Sequence, residues 1–366
     1  MSERAPSKER LVEDIVGRAL RGWSPGRDEL VEILSMGPDQ REAAEILFSG
    51  ARDLRDQNVG PKTYLYGFVY LSTYCRNDCF FCHYRRSVKN LERYRKSSGE
   101  ILEVARHLRD GGVQLVDLTL GEDETLVTGG GFEKILRLIE GVVKDTGLPV
   151  MLSPGVLTRA QLNEARSAGA VWYALYQETH ARALFGKWRR GQDFSGRMRA
   201  REDALAEGLL VEDGVLVGAG AAPDDLAGSV LEMGLARAQQ VRAMGYVPTS
   251  GGLPPDPAVD AGWQELLMIA CLRLAHPRSL IPASLDVEGL RGMGSRLSAG
   301  ADVVTSIVPP SRGLAGVATM ALDIENSQRS PGRVLEELDR RGVPAGSVGD
   351  YLGRLKDLRT RLAELA

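Results

Sequence analysis

The chain has 366 residues, of which 43% are hydrophobic and 26% are charged, and its formal net charge is −3. This composition is typical of a folded globular protein and excludes extensive disorder, which requires low hydrophobicity and high net charge. The balanced charge gives no general attraction to nucleic acid or to anionic membranes, and no apolar run reaches the roughly 18 residues of a membrane span. Residues 1–10 lack the apolar stretch of a secretory signal, so we expect a cytoplasmic protein, and the oligomeric state stays open.

The first part of the chain has a helical pattern. Apolar residues such as Leu11, Ile15 and Leu20 recur at helical spacing within residues 8–58, and a turn is expected at 24–26. We therefore predict an N-terminal helical segment over residues 1–60. Residues 332–366 also show helical spacing, and we predict C-terminal helices, within residues 321–366, that pack outside the central domain beside the N-terminal helices.

Between these helical segments, short β-rich runs alternate with amphipathic helices. Eight such runs are spaced about 30 residues apart, a number and spacing typical of a (β/α)8 barrel. They lie at residues 63–71, 113–120, 149–152, 171–176, 215–217, 240–248, 280–285 and 303–308. We predict an α/β fold, a (β/α)8 TIM barrel over residues 61–320 with extra N- and C-terminal helices. An open doubly wound sheet is the alternative, but the absence of an obvious edge strand favours closure.

Three of the four cysteines lie together directly after the first predicted strand. Cys75, Cys79 and Cys82 have the spacing C-x3-C-x2-C, whereas Cys271 is isolated at helical spacing among apolar residues. Thiolates are soft ligands that suit iron–sulfur clusters or zinc, and a structural zinc site or an electron-transfer cluster would need a fourth ligand nearby. Three thiolates on a barrel's functional face would instead leave one iron open for a ligand.

This loop resembles the signature of the radical S-adenosylmethionine (SAM) superfamily, C-x3-C-x-aromatic-C, with Phe81 at the aromatic position. The resemblance implies a 4Fe–4S cluster on Cys75, Cys79 and Cys82, whose open iron chelates SAM, with Phe81 against the adenine. It also implies a reductant or electron-transfer protein, and cleavage of SAM to a 5′-deoxyadenosyl radical.

Several further stretches are similar to the methylornithine synthase family of radical SAM enzymes. They are VDLTLGED (116–123), MLSPG (151–155), LYQETH (175–180), VEDGVLVGAG (211–220), IPASLDVEG (281–289) and SAGADVVTSIVPP (298–310). The similarity implies rearrangement of L-lysine to (3R)-3-methyl-D-ornithine, which opens pyrrolysine biosynthesis, by hydrogen abstraction at C4, fragmentation to a glycyl radical and an alkene amine, and re-addition. Biotin synthase and the hydrogenase-maturation radical SAM enzyme are more distant relatives.

The resemblance also implies the residues that bind SAM. Glu122 matches a residue that meets the SAM amino group, Ser153 and Glu178 match residues that bind the methionine and ribose parts, and Arg197 matches the arginine that pairs with the carboxylate. A carboxylate suits an ammonium or a ribose hydroxyl as a partner. The alternatives are a solvated acidic turn at Glu122 and a solvated helix-start arginine at Arg197.

Four more residues match substrate-contacting positions of the family: Asp117, Arg242, Ser284 and Asp286. A diamino acid carries two ammonium groups and one carboxylate, so its pocket needs acidic partners and a cation. The alternative is an internal salt bridge, such as one of Arg242 with Asp117 or Asp286. Residues 248–254 depart from the family's Pro-Gln-Glu-Gly-Thr-Pro-Leu type loop, so a different amino-acid-like substrate is the alternative activity.

Overall fold

Eight parallel strands form the centre of the fold in the computed structural model, which describes residues 7–254, 259–310, 312 and 329–364. The barrel strands are β1 (Tyr64–Ser72), β3 (Leu115–Leu120), β4 (Val150–Ser153), β5 (Ala170–Ala174), β7 (Leu210–Val217), β8 (Gln240–Gly245), β9 (Pro282–Ser284) and β10 (Val303–Ile307). A separate two-stranded antiparallel ribbon joins β2 (Asp78–Cys79) to β6 (Arg189–Arg190). The strand positions agree with the sequence pattern except that β7 begins five residues earlier than expected.

The sheet closes into a barrel. Its strand order is β8-β7-β5-β4-β3-β1-β10-β9. A parallel bridge between Gln240 and Leu280 joins the two ends, and the Val241 amide donates to the Leu280 carbonyl at 3.0 Å. The predicted (β/α)8 barrel is therefore confirmed, and the alternative of an open doubly wound sheet is wrong.

Helices surround the barrel, because parallel strands that are apolar on both faces must be covered on the outside. The helices are α1 (Lys8–Leu20), α2 (Arg27–Leu34), α3 (Arg41–Asn58), α4 (Ser98–Asp110), α5 (Glu124–Val127), α6 (Phe132–Thr146), α7 (Arg159–Ser167), α8 (Arg182–Trp188), α9 (Phe194–Ala206), α10 (Pro223–Leu235), α11 (Ala261–Ala275), α12 (Leu290–Ser298), α13 (Pro331–Arg340) and α14 (Val348–Glu364). None of the helices in the described ranges is long and apolar enough to cross a membrane.

The N-terminal helices extend the outer layer on one side of the barrel. Helix α3 packs against α11 and α12, and α2 packs against α10 and α11. The Trp263 indole donates to the Met36 carbonyl at 2.8 Å and meets the Phe48 ring edge-on. The predicted boundary between the barrel and the C-terminal helices, at residues 320 and 321, lies outside the described residues.

Helix α14 closes the amino end of the barrel. Tyr351 is fully buried, and its hydroxyl lies 2.7 Å from that of Tyr66 on β1 and 2.9 Å from the indole nitrogen of Trp172 on β5. Tyr66 in turn lines the barrel cavity. Helix α14 therefore supplies the floor beneath that cavity.

Candidate active site

The cysteine loop follows β1 at the carboxyl end of the barrel, where barrel enzymes carry their sites. In the β2–β6 ribbon, Cys79 is paired with Arg189 and Asp78 with Arg190. The next amide along, that of Phe80, donates to the Trp188 carbonyl at 2.8 Å. The ribbon therefore fixes the middle cysteine against the segment that follows helix α8.

The three loop cysteines are free thiols, with Cys79 buried and Cys75 and Cys82 half-buried. Burial raises the pKa of both Cys75 and Cys82, although the Asn77 amide donates to the Cys75 sulfur at 3.4 Å and opposes the shift at Cys75. A Cβ on Gly121 would lie 2.3 Å from the Tyr74 carbonyl oxygen, so only glycine lets β3 end this close to the loop.

This donor set fits an iron–sulfur cluster better than one metal ion. In the parts of the chain that the structure describes, no three histidine, cysteine or acidic side chains have the spacing of a single-ion site. A cluster of four irons and four sulfides spans a wider gap between its thiolates, and cysteine sulfurs are its usual ligands. The three free thiols on one loop can hold such a cluster.

Glu122 and Arg197 lie together at the ends of β3 and α9, in a hollow beside the cysteine loop. Glu122 pairs with Arg76 at 3.0 Å, lies 3.7 Å from Arg197 and accepts from the Val156 amide at 3.2 Å. Gly155 has φ +85°, and a Cβ there would lie 1.9 Å from the Glu122 Cγ. Glu122 is buried, so the alternative of a solvated acidic turn is wrong.

Arg197 is a buried cation whose hydrogen bonds are incomplete. One Nη donates to the Tyr176 carbonyl at 2.6 Å, the other donates to Gln192 at 3.3 Å, and within the described ranges its Nε has no partner. Burial and the nearby Arg189 charge lower the pKa of Arg197 to about 9. Because its side chain is 3% exposed, the solvated alternative is wrong, and the site can take an anionic group such as a carboxylate.

Glu178 ends the segment after β5 in an unusual backbone conformation, with φ +69°. Such strain concentrates at functional sites. Burial raises the pKa of Glu178, while Arg189, which donates to its carboxylate at 2.9 Å, opposes the shift. The Arg189 guanidinium also lies 5.1 Å from the ring centroid of Phe81, and Phe81 and Glu178 both line the barrel cavity.

Ser153 is the last residue of β4 and pairs in register with Thr119. Its side chain is half-buried. Among the described residues, it lines neither the barrel cavity nor the hollow at Glu122. The structure thus brings Glu122 and Arg197 together and places Phe81 and Glu178 nearby. Ser153 lies apart from them, at the end of the neighbouring strand β4.

Among the described acids of the barrel cavity, Asp117 lacks a basic partner. Asp117 accepts from the Thr119 hydroxyl at 2.9 Å, and no lysine, arginine or histidine nitrogen in the described ranges lies within ion-pair distance of it. Burial and the neighbouring Glu212 charge raise the pKa of Asp117 to about 7. By contrast, the acids at Glu178, Glu212, Glu265 and Asp286 each pair with an arginine.

Arg242 forms the central ion pair of the cavity. Its Nε donates to Glu212 on β7 at 2.7 Å, and one Nη donates to the Thr305 hydroxyl at 3.1 Å. Burial lowers the pKa of Arg242, but the carboxylate of Glu212 outweighs burial, so the pKa lies above its ordinary value. The predicted alternative of an internal salt bridge therefore holds for Arg242, but its partner is Glu212 and not Asp117 or Asp286.

Asp286 sits in a polar cluster at the end of β9. It accepts from Ser284 at 3.1 Å and from Ser306 at 2.9 Å, and Arg329 pairs with it at 3.0 Å. Ser306 has φ +65°, a second strained position at the site. The Asp286 carboxylate therefore binds two hydroxyl groups and one guanidinium beside the cavity.

Sequence reasoning missed Glu212 and Arg189, and it did not use Gln192 or Arg329. A detectable signal existed for Glu212, because a charged pair inside the apolar run 209–217 indicates a buried, paired acid. The ribbon that positions Arg189 and the turn at Gln192 have no comparable sequence pattern.

The unusual loop at residues 248–254 packs on the cysteine loop. Arg85, only 4% exposed, donates to the Cys82 carbonyl at 3.0 Å, to the Thr249 hydroxyl at 3.0 Å and to the Ser250 carbonyl. The Leu253 amide donates to the Phe80 carbonyl at 3.1 Å. These contacts explain how the loop is held at the mouth of the barrel.

Comparison with known proteins identifies the class. A sequence profile of the Radical SAM superfamily matches residues 69–231. The chain is 38% identical over 337 residues to the 3-methylornithine synthase of Methanosarcina barkeri, covering 91% of this chain and 94% of that protein. It is 29% identical to the [FeFe] hydrogenase maturase subunit HydE of Thermotoga maritima, covering 78% and 81%. A crystal structure of methylornithine synthase (PylB) superposes with a TM-score of 0.86 at 37% identity, covering 93% of this chain and 99% of that one.

The chain is a member of the radical SAM superfamily, and this membership implies a 4Fe–4S cluster and SAM. Within the superfamily, it belongs to the 3-methylornithine synthase family.

Proposed function

We propose that this protein is a radical SAM mutase that rearranges L-lysine to (3R)-3-methyl-D-ornithine, the opening reaction of pyrrolysine biosynthesis. Relatives named 3-methylornithine synthase support the reaction, with 38% identity over nearly their whole length. The charge of the barrel cavity supports the substrate. The observation that carries the proposal is the buried Asp117, which has no basic partner among the described residues and lies near the Arg242–Glu212 pair.

We assign the cluster and SAM to the carboxyl end of the barrel. Cys75, Cys79 and Cys82 would hold a 4Fe–4S cluster that, with one electron from a reductant or electron-transfer protein, supplies a 5′-deoxyadenosyl radical from SAM. Glu122 would accept from the SAM ammonium, and Arg197 would pair with its carboxylate. The incomplete hydrogen bonding of buried Arg197 supports this role.

The remaining SAM contacts would come from Phe81, Ser153 and Glu178. Phe81 offers an aromatic face against adenine, and the buried carboxylate of Glu178 can accept from ribose hydroxyls. Glu178 and Phe81 line the same cavity as Asp117, so a radical centre held by them would face the substrate. Ser153 would contact the methionine part from the end of β4.

The substrate would be held by charge complementarity. When Asp117 is ionised, the three carboxylates of Asp117, Glu212 and Asp286 exceed the two guanidiniums of Arg242 and Arg329 by one negative charge. Lysine carries one net positive charge. Asp117 would bind one ammonium, Asp286 with Ser284 would bind the other, and Arg242 would bind the carboxylate through donors that Glu212 does not use.

The protein contributes position and exclusion of water to the rearrangement, since the radical chemistry belongs to the cofactor. A fragmentation followed by re-addition needs both pieces to stay in place. Tyr66 and Tyr351 close the amino end of the cavity. For each hydrogen removed from C4 of lysine, one hydrogen returns to the rearranged skeleton, so unlabelled product and substrate have the same mass.

The proposal is tested on protein reconstituted anaerobically with iron and sulfide. Dithionite, SAM and L-lysine deuterated at C4 are added, and products are separated by chromatography and mass spectrometry. We expect an isomer of lysine with a different retention time, and deuterium in 5′-deoxyadenosine. Release of 5′-deoxyadenosine with lysine unchanged would refute the substrate assignment, and ornithine and diaminopimelate would then be tried because the 248–254 loop is unusual.

Two matched cysteine variants test the metal assignment. Cys82→Ala should lose the iron–sulfur chromophore and about four irons per chain, because the cluster loses one of three thiolates. Cys271→Ala should keep both, since Cys271 is fully buried in helix α11. Zinc in place of iron in the unmodified protein would contradict the proposal and favour a structural metal site.

A further inference from the structure

The side chain of Arg189 joins the cysteine loop to the predicted SAM pocket. Arg189 is 8% exposed and stands opposite Cys79 in the β2–β6 ribbon. One Nη lies 3.6 Å from the Cys79 sulfur. The other donates to Glu178 and to the Tyr176 carbonyl, both at 2.9 Å. One buried cation therefore contacts a cluster ligand and the carboxylate assigned to SAM.

Gln192 adds a second donor to the same sulfur. Its Nε2 lies 2.9 Å from Cys79, and its Oε1 accepts from Arg189 at 3.2 Å and from Arg197 at 3.3 Å. The two arginines can only donate, so they require the amide oxygen on their side. This fixes the amide orientation and directs the N–H group at the sulfur.

Donors to a thiolate change the electron affinity of the cluster that the thiolate holds. Hydrogen bonds and positive charge at a ligand sulfur stabilise the reduced cluster, which carries one more negative charge, and raise its reduction potential. The Cys75 sulfur receives a backbone amide at 3.4 Å, so the charged and side-chain donors concentrate on Cys79 among the described contacts.

We propose that Arg189 and Gln192 are positioning residues that raise the reduction potential of the cluster through Cys79, and that Arg189 couples this potential to the occupancy of Glu178. The proposal rests on the cluster assigned above. A ligand that binds Glu178 competes with Arg189 for the Glu178 carboxylate. It therefore changes how far this carboxylate neutralises the Arg189 charge. The reducibility of the cluster therefore depends on whether the SAM pocket is filled.

The test compares Arg189→Gln with Arg190→Gln in the reconstituted holoprotein. Arg190 is the next residue of the ribbon, is exposed, and stacks on the Phe80 ring with its guanidinium carbon 3.7 Å from the centroid. Both variants lose one positive charge, but only Arg189 is buried and contacts Cys79 and Glu178. Reduction potentials are measured by EPR-monitored titration, with and without SAM, after iron content has been matched.

We expect Arg189→Gln to lower the ratio of reduced to oxidised cluster about tenfold at a fixed solution potential, which is about 59 mV for a one-electron couple. Arg189→Lys should recover part of this loss, and Arg190→Gln should match the unmodified protein. The difference between SAM-free and SAM-bound potentials should shrink in Arg189→Gln. A purely structural role for Arg189 would leave all these potentials unchanged once iron is matched, and that result overturns the proposal.

Gln192→Ala keeps the test decisive if Arg189→Gln does not hold iron, because it removes a donor without changing the ribbon. Its potential should fall below that of the unmodified protein, and equality would overturn the proposal. A chain that cleaves SAM but leaves lysine unchanged, with the expected potentials, refutes the mutase assignment and upholds this inference. A chain that assembles no 4Fe–4S cluster refutes both.

Discussion

Asp117→Asn is expected to stabilise the protein while abolishing its binding of lysine. The carboxyl ionises at about pH 7 in the folded protein instead of at the ordinary value of 3.8, because it is buried and lies near Glu212. A group with a raised folded pKa favours the folded state less as pH rises from the unfolded pKa to the folded one. The asparagine keeps the contact with Thr119 and carries no charge, so it escapes this loss.

The size of the effect follows from the two pKa values. At about 1.4 kcal/mol per pH unit, the raised pKa lowers the stability of the folded state relative to the unfolded chain by about 2 kcal/mol at pH 5.5 and about 4 kcal/mol at pH 8. Unfolding entropy of about 2.1 cal/mol/K per residue converts these figures, for 366 residues, to gains in Tm of about 3 °C and 5 °C. The advantage of Asp117→Asn should thus grow with pH.

The assay is thermal unfolding of holoprotein at both pH values, with and without L-lysine. Lysine should raise the Tm of the unmodified protein at pH 8 and leave that of Asp117→Asn unchanged, since the ammonium pairs with the carboxylate. The affinity of the unmodified protein for lysine should fall about tenfold per pH unit below about pH 7. Asp110→Asn, an exposed surface change, is the control. A lower Tm for Asp117→Asn at pH 8 would refute the reasoning, because it would mean that Asp117 is ionised and paired in the folded protein.

Two further substitutions test other parts of the site. Gly155→Ala should weaken SAM binding roughly tenfold or more, because its Cβ displaces Glu122 and a charge-assisted hydrogen bond is worth about 1.5–3 kcal/mol. Gly147→Ala has a similar positive φ but nothing within 4 Å, so calorimetry should show unchanged SAM affinity, and equal loss in both variants would contradict the clash. Glu212→Gln should lower the free energy of unfolding by about 3–5 kcal/mol, because it leaves buried Arg242 without its carboxylate. Denaturant titration measures this, and a loss under 1 kcal/mol would indicate that Arg242 finds another anion.

The barrel and its cysteine loop were predictable because each depends on local sequence. Strand composition, helical spacing and the separation of Cys75, Cys79 and Cys82 all lie within short windows. The start of β7 was missed because Glu212 and Asp213 interrupt its apolar run and are buried there only through partners elsewhere. A charged residue inside a predicted strand indicates a buried ion pair, but the periodicity of the sequence does not reveal its partner.

Other parts of the site depend on contacts between distant segments. Arg189 contacts Cys79, 110 positions away along the chain, through a ribbon of only two residues per strand. Asp286 and Arg329 are brought together across 43 positions. No local spacing relates these residues, so the sequence predicted the thiolates and, by resemblance, the SAM residues without the cation that contacts Cys79 and Glu178.

The floor that helix α14 gives to the barrel has a consequence for the folding of this chain during translation. Tyr351 meets Tyr66 across 285 positions, so a chain emerging from the ribosome completes the first strand long before it can seal the cavity. Until helix α14 has been translated, the amino end of the barrel exposes apolar walls, and contacts of such long range form late. The amino end of the cavity therefore acquires its floor only after the helix that carries Tyr351 has been translated.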